Sequence, residues 1–232
     1  FPTRRSSDLK QMLKEAIEDI FHQLRTPLTS MNLIISLLAQ EELTYERRIE
    51  LTRQLRKETE RMGWQVETLL KMSRIDSGTA VFRKDSIKAA DLLKEAVSPF
   101  LIPMELKEQT LKVDVSDESF TGDMSWTVEA VANLIKNCME HTPQGGHIHI
   151  NVSENALSTD IVITDSGSGF AKEDIPHLFE RFYKGSNASE QSIGIGLALT
   201  RMIITSQNGT ISASNAAHGG ACFTVRFYKS IV

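Results

Sequence analysis

Between Leu9 and Ile75 the chain has one glycine, Gly63, and one proline, Pro27, and its apolar residues return in steps of three and four. The first series runs Leu9, Leu13, Ala16, Ile20, Leu24, Leu28, Met31, Ile35, Leu38. The second runs Ile49, Thr52, Leu55, Thr59, Met62, Val66, Leu69. That spacing lays each series along one face of an α-helix. The polar break between them, "AQEELTYE", is long enough only for a reversal, so the two helices are predicted to form an antiparallel hairpin. Two helices cannot bury both stripes against each other. The predicted solution is a four-helix bundle built by two copies in a symmetric dimer; packing against a further domain is the alternative.

The pattern changes near residue 78, where "DSGTA" breaks the helix. Beyond it, helical stretches ("AADLLKEAVSPFLIPM", "WTVEAVANLIKNCMEHT", "GLALTRMIITSQ") are interspersed with strands ("TLKVDVSD", two in "GGHIHINVSENALSTDIVITDSG", two in "GTISASNAAHGGACFTVRFY"). This predicts an α/β domain of mixed order, giving a chain organised as a tag, linker or truncation scar at 1–8, a helical hairpin at 9–78 and an α/β domain at 79–232. A net charge of −4 offers no basic surface for nucleic acid or an anionic membrane. No apolar run approaches the roughly 20 residues that span a bilayer, so a membrane link is expected only through segments outside this chain. Cys138 and Cys222 lack metal or redox spacing and read as reduced core thiols of a cytosolic protein.

Two regions carry candidate chemistry. At about 100° per residue, His22 falls roughly 160–200° from Ile20 and Leu24 on the helix, so it is predicted to face solvent rather than the apolar seam. Thr26 lies one turn further along the same face. Pro27 lacks the N–H that would bond the Gln23 carbonyl, which bends the helix beside the histidine. In the second domain, "DSGSGF" sets Asp165 at a strand end before Gly167 and Gly169, an acid placed to accept a hydrogen bond from a purine amino group. "SIGIGLALTR" puts Gly194 and Gly196 ahead of a helix whose first amides suit phosphate oxygens. Between these stretches, Arg181 and Lys184 in "FERFYKG" can reach phosphate. Asn133 and Asn137 share one helical face, where an amide oxygen can hold Mg²⁺ beside the phosphates. His147 and His149 also share a strand face but lack further ligands for a metal.

Together these stretches resemble the sensor histidine kinases of two-component signalling over nearly the whole chain. "FHQLRTPLT" resembles the H box, "NLIKNCMEHTP" the N box, "DSGSGF" the G1 box, "FERFYKG" the F box and "GIGLAL" the G2 box. The resemblance implies a dimerisation and phosphotransfer hairpin followed by an α/β sandwich ATP-binding domain of the GHKL (Bergerat) type, shared with gyrase, Hsp90-type and mismatch-repair ATPases. It implies that His22 is the phosphoacceptor, that Asn137 holds Mg²⁺ with Asn133 nearby, and that Asp165 reads adenine. Gly167, Gly169, Gly194, Gly196 and Leu197 would shape the pocket, His141 would lie beside the nucleotide, and Thr26 would orient water in dephosphorylation of a partner.

Two residues depart from the family pattern. Glu140 stands where many members carry a basic residue. Gln23 stands where the family has an acid, which would hydrogen-bond the imidazole and draw off its proton. The expected activity is ATP-dependent phosphorylation of His22, weakened by Gln23, with transfer to an aspartate of a response-regulator receiver domain. The expected setting is the cytoplasmic portion of a membrane-anchored bacterial sensor. Two rival readings are a phosphatase-biased or kinase-impaired ATP-binding module and a GHKL clamp ATPase.

Overall fold

The computed structural model describes residues 21, 24–40, 42–186 and 192–229; His22 and Gln23 lie outside them. The chain divides into two compact units within one helix, the first ending at Leu70 and the second beginning at Lys71. The composition change at residue 78 therefore comes after the structural division, because the last residues of that helix pack with the second unit.

In the first unit, residues 24–38 form a helix (α1) and Tyr45–Asp76 forms the long α2, which continues into the second unit. The Thr44 hydroxyl accepts the Arg47 amide at 3.3 Å and so caps the start of α2. Arg48 Nη1 donates to the Leu38 carbonyl near the turn, and the Thr59 hydroxyl meets the Met31 sulfur further along, as an antiparallel hairpin requires. Pro27, Ile34 and Leu51 are buried between the helices. The predicted seam is only partly inside: Leu28 and Ile35 are each 52% exposed, because the apolar stripe is wider than one neighbouring helix can cover. Gly78, with φ +68°, ends α2, and the amides of Gly78 and Thr79 return to the carbonyls of Ile75 and Arg74.

The second unit is a two-layer α/β sandwich. After the short β1 (Asp85–Lys88) come α3 (Ala89–Val97), a 3₁₀ turn, α4 (Leu101–Leu106), β2 (Thr110–Asp114) and β3 (Ser119–Gly122). Then follow α5 (Met124–His141), β4 (His147–Glu154), β5 (Ser158–Asp165), α6 (Gly196–Ser206), β6 (Gly209–Asn215) and β7 (Ala221–Tyr228). The main sheet has the order β2-β4-β5-β7-β6, parallel only between β2 and β4, while β1 and β3 pair separately. Alternation decides which face is dry. Ile148, Ile150, Ile161, Ile163, Phe223, Val225 and Phe227 point to one side, where Leu92 of α3, Leu134 and Ile135 of α5 and Leu199 of α6 cover them. Each such side chain contributes roughly 1.5–3 kcal/mol on burial. The predicted strands and helices are all present. The unpredicted β1 and β3 are four residues each and bury one large side chain apiece, Ile87 and Phe120, too little for a periodic signal. No helix among the described residues is long and apolar enough to cross a membrane.

Candidate functional site

Along the polar edge of α5 the second unit leaves hydrogen bonding incomplete. Asp123 caps the helix by accepting the Trp126 amide at 3.1 Å. At the other end, Lys107 Nζ donates to the Met139 carbonyl at 2.9 Å and Gln109 Nε2 to the Thr142 carbonyl at 2.6 Å. With both ends fixed, the Asn133–Asn137–His141 row is held along one edge, beside the buried face carrying Leu134, Ile135 and Cys138. Among the described residues, Asn137 Oδ1 and Asn133 Nδ2 are buried without a hydrogen-bond partner. Burying a polar atom unpaired costs about 1–3 kcal/mol, so two on adjacent turns mark a place completed by something else.

The neighbouring strand end repeats the pattern. Asp165 is 4% exposed; its Oδ1 accepts the amides of Gly167 at 2.8 Å and Ala221 at 3.0 Å, while Oδ2 is buried with no partner. One oxygen thus fixes the carboxylate and the other is left to accept from a ligand. Gly167 lets the loop pass against the end of α5, since a Cβ there would lie 2.6 Å from the His141 carbonyl oxygen. That contact brings the Asp165 loop and the asparagine row into one site. Beside them the buried Cys138 thiol is raised well above its usual range, chiefly by burial and then by the Asp165 charge.

The loops around this edge come from three places. Gly169 has φ +70°, and the backbone of the adjoining Phe170 is braced by Asn215, whose Oδ1 accepts the Phe170 amide at 2.7 Å and whose Nδ2 donates to its carbonyl at 2.8 Å. Gly194, at φ +74°, sits so close to the Tyr183 carbonyl that no side chain fits. Gly196 and Leu197 open α6, whose first turn has no side-chain cap and whose Thr200 hydroxyl reaches the Ala130 carbonyl of α5 at 3.3 Å. His141 is exposed at the end of α5.

Not every predicted residue joins this group. Arg181 is committed elsewhere: Nη2 lies 2.7 Å from both carboxylate oxygens of Asp76, so the expectation that it reaches phosphate is not met in this conformation. Lys184 is exposed and makes no ion pair among the described residues. Glu140 is paired with Lys136 at 3.8 Å, one helical turn away. His149 is bound to Asp114 at 2.7 Å, and the described residues contain no cluster of three metal-ligating side chains. Thr26 is exposed on α1. Sequence reasoning missed Gly220, Ala221 and Asn215, which hold Asp165 and its loop from across the sheet. The available signal is the glycine pair of "HGGA" between the last two strands.

The donor set suits a small hard cation held mainly by a ligand's own phosphates. Asn137 supplies one amide oxygen with no rival carboxylate cage among the described residues, and Mg²⁺ commonly takes one or two protein oxygens with the remainder from phosphate and water.

Two family models match the sequence: the His Kinase A (phospho-acceptor) domain over residues 12–78, and the Histidine kinase-, DNA gyrase B-, and HSP90-like ATPase over residues 122–231. Sensor protein SphS of Synechococcus elongatus is 31% identical across 94% of this chain and 55% of its own length. Among solved structures, histidine kinase ThkA in complex with response regulator protein TrrA aligns with a TM-score of 0.77 at 18% identity, covering 98% of this chain and 65% of that one. Full-length ShkA in complex with AMPPNP aligns with a TM-score of 0.67, also at 18% identity, over 94% of this chain and 46% of that one. The chain spans about half the length of the curated relatives it matches.

Proposed function

This chain belongs to the histidine kinase family, and from that membership we propose that it is the phosphotransfer and catalytic core of a two-component sensor, using ATP to phosphorylate His22 and passing the phosphoryl group to an aspartate of a response-regulator receiver domain. The observation that carries the reading is the set of buried atoms without partners along α5 and β5: Asn137 Oδ1, Asn133 Nδ2 and Asp165 Oδ2. Asp165 Oδ2 accepts the adenine amino group. The uncapped first turn of α6, with Gly196 and Leu197, offers amides to the phosphates, and Lys184 adds a positive charge. Asn137 Oδ1 is the protein ligand for Mg²⁺, which when bound offsets the charge of the phosphates.

In the transfer, a lone pair of the neutral His22 imidazole attacks the terminal phosphorus. The bond from that phosphorus to the bridging oxygen breaks, and ADP leaves with the electron pair. The imidazole must then lose its N–H proton. A carboxylate at position 23 takes that proton; the Gln23 amide is not basic and leaves it to water.

The hairpin is read as one half of a four-helix bundle. Phe21, Leu28 and Ile35 are exposed at heptad spacing on the first helix, with Val66 and Leu70 exposed on α2, and a second copy covers them. The regulator docks near His22, and the chain is read as the cytoplasmic portion of a membrane-anchored bacterial sensor, as its named relatives are sensor proteins.

Incubation with γ-labelled ATP and Mg²⁺ tests the reading. Acid-labile label is expected on the wild-type chain and none on His22→Ala, with Gln23→Glu labelling about 10²–10⁴-fold faster than wild type. Label that survives in His22→Ala overturns it, and equal rates for the two forms at position 23 overturn the role given to Gln23 alone. Gln23 favours one second reading, a core biased toward removing phosphate from its regulator with help from Thr26. A wild-type chain that takes up no label yet speeds loss of aspartyl phosphate selects that reading. The HisKA match over 12–78 weighs against a clamp ATPase.

A further inference from the structure

Asp174 precedes the 3₁₀ turn Ile175–His177 in the place of an N-cap, yet its carboxylate makes no capping bond to that turn. It is 6% exposed and reaches forward to a different segment. Oδ1 accepts the Tyr183 hydroxyl at 2.6 Å, Oδ2 accepts the Ser186 amide at 2.8 Å, and the Ser186 hydroxyl lies 3.4 Å from Oδ1. The approach is close enough that a Cβ at Gly185 would stand 2.9 Å from Oδ2. Just before this segment, Phe182 holds φ +64° and its amide donates to the Gly194 carbonyl at 2.9 Å. A bulky residue in the left-handed region persists only where its surroundings hold it there. The Tyr183 ring also lies against His177, centroids 5.3 Å apart.

These bonds fall on both sides of one residue. Lys184 follows Tyr183 and precedes Gly185 and Ser186, so the same buried carboxylate holds the Tyr183 hydroxyl on one side of it and the Ser186 amide on the other. We propose that Asp174 is a positioning residue for the phosphate end of the nucleotide site, holding Tyr183 and Ser186 so that Lys184 is presented to the distal phosphates. This rests on the nucleotide reading of the α5–β5 edge. The Arg181 guanidinium, bound to Asp76, is not available for that task in this conformation, which leaves Lys184 as the cation of the segment to be placed. The coupling between Asp174 and Tyr183 has its own signature. The carboxylate pushes the Tyr183 hydroxyl up to about 12, and the tyrosine hydrogen bond holds the Asp174 carboxyl below its ordinary range.

A double-mutant cycle on the full chain tests this, with calorimetric affinities for ATP and for AMP in the presence of Mg²⁺. Asp174→Ala and Lys184→Ala are each expected to weaken ATP about tenfold, the scale of one lost charge-assisted contact. AMP, which depends on Asp165, changes less than about twofold, and the double variant is no worse than the weaker single. Tyr183→Phe, which keeps the ring and removes only the hydroxyl, gives a smaller loss in the same direction. Ultraviolet titration adds a readout that general unfolding does not mimic: in Asp174→Asn the high tyrosine transition moves back toward the ordinary value near 10. Additive losses in the double variant, or equal losses of ATP and AMP in Asp174→Ala, overturn the proposal alone. A wild-type chain that binds neither nucleotide overturns the nucleotide reading and this proposal with it.

Discussion

The two units spend their apolar and polar residues in opposite ways. In the α/β unit, Ile148, Ile150, Ile161, Ile163, Phe223 and Phe227 are at most 1% exposed, and the unpartnered atoms Asn133 Nδ2, Asn137 Oδ1 and Asp165 Oδ2 gather on neighbouring elements. In the hairpin, Leu28, Ile35 and Leu70 are more than half exposed while Gln65 and Thr68 are 1% exposed. The sheet unit is therefore closed on its apolar side, and apart from Gln109 Oε1 its buried unpartnered side-chain atoms among the described residues lie along the α5–β5 edge. The hairpin is incomplete as a fold, since its outer stripe of large side chains has no cover among the described residues. A single chain can thus leave two kinds of surface open, one of unpaired polar atoms and one of exposed apolar side chains.

The comparison breaks most readily at the hairpin. Ile35→Glu places a charge in the uncovered stripe of both copies and is expected to weaken self-association at least about a hundredfold, read by sedimentation at graded concentration. The unfolding of the α/β unit should not move. Unchanged association would show that the stripe is not where copies meet. An intermediate effect comes from the site. Asn137→Leu removes a buried amide oxygen that lacks a donor, so the ligand-free unit should gain roughly 1 kcal/mol in chemical denaturation while Mg²⁺ ceases to improve ATP affinity. A loss of stability without ligand would mean that the amide is satisfied within the fold.

The smallest effect sharpens the contrast from inside the sheet. Arg226 donates to both oxygens of Asp160 from the paired strand at 2.6–3.0 Å, which holds the Asp160 carboxyl below its ordinary range. A depressed folded value means that the stabilisation is present at neutral pH and is lost as pH falls through that value. Asp160→Asn should lower the denaturation midpoint slightly at neutral pH and match wild type once the carboxylate of the wild type is protonated. A difference that persists unchanged into acid would exclude the ion pair as its source.

Periodicity made the hairpin and the main sheet legible in sequence, because long elements repeat their pattern many times. Leu28 and Ile35 share the helical period with buried neighbours yet face outward, as expected of stripes that one hairpin cannot cover; spacing identifies a stripe without saying who covers it. Asp165, Asn133 and Asn137 were readable because their chemistry is unusual for a strand end and a helix interior. Asp174, Asn215 and Gly220 were not, because each acts on a residue remote in sequence. The pairing of Arg181 with Asp76 was hidden for the same reason, since the two lie far apart in sequence. The short β1 and β3 carry one buried side chain each and leave nothing to repeat.

Gly220 carries a last consequence. At φ +87° it lies against the Asp165 carbonyl so closely that no methyl group fits, and the next amide, that of Ala221, donates to the same aspartate. The turn of the final hairpin therefore acts as a gauge block set against the buried Asp165. Any side chain added there would meet the Asp165 carbonyl and displace one strand end from the other, so the position of this carboxylate is fixed by a turn 55 residues further along the chain.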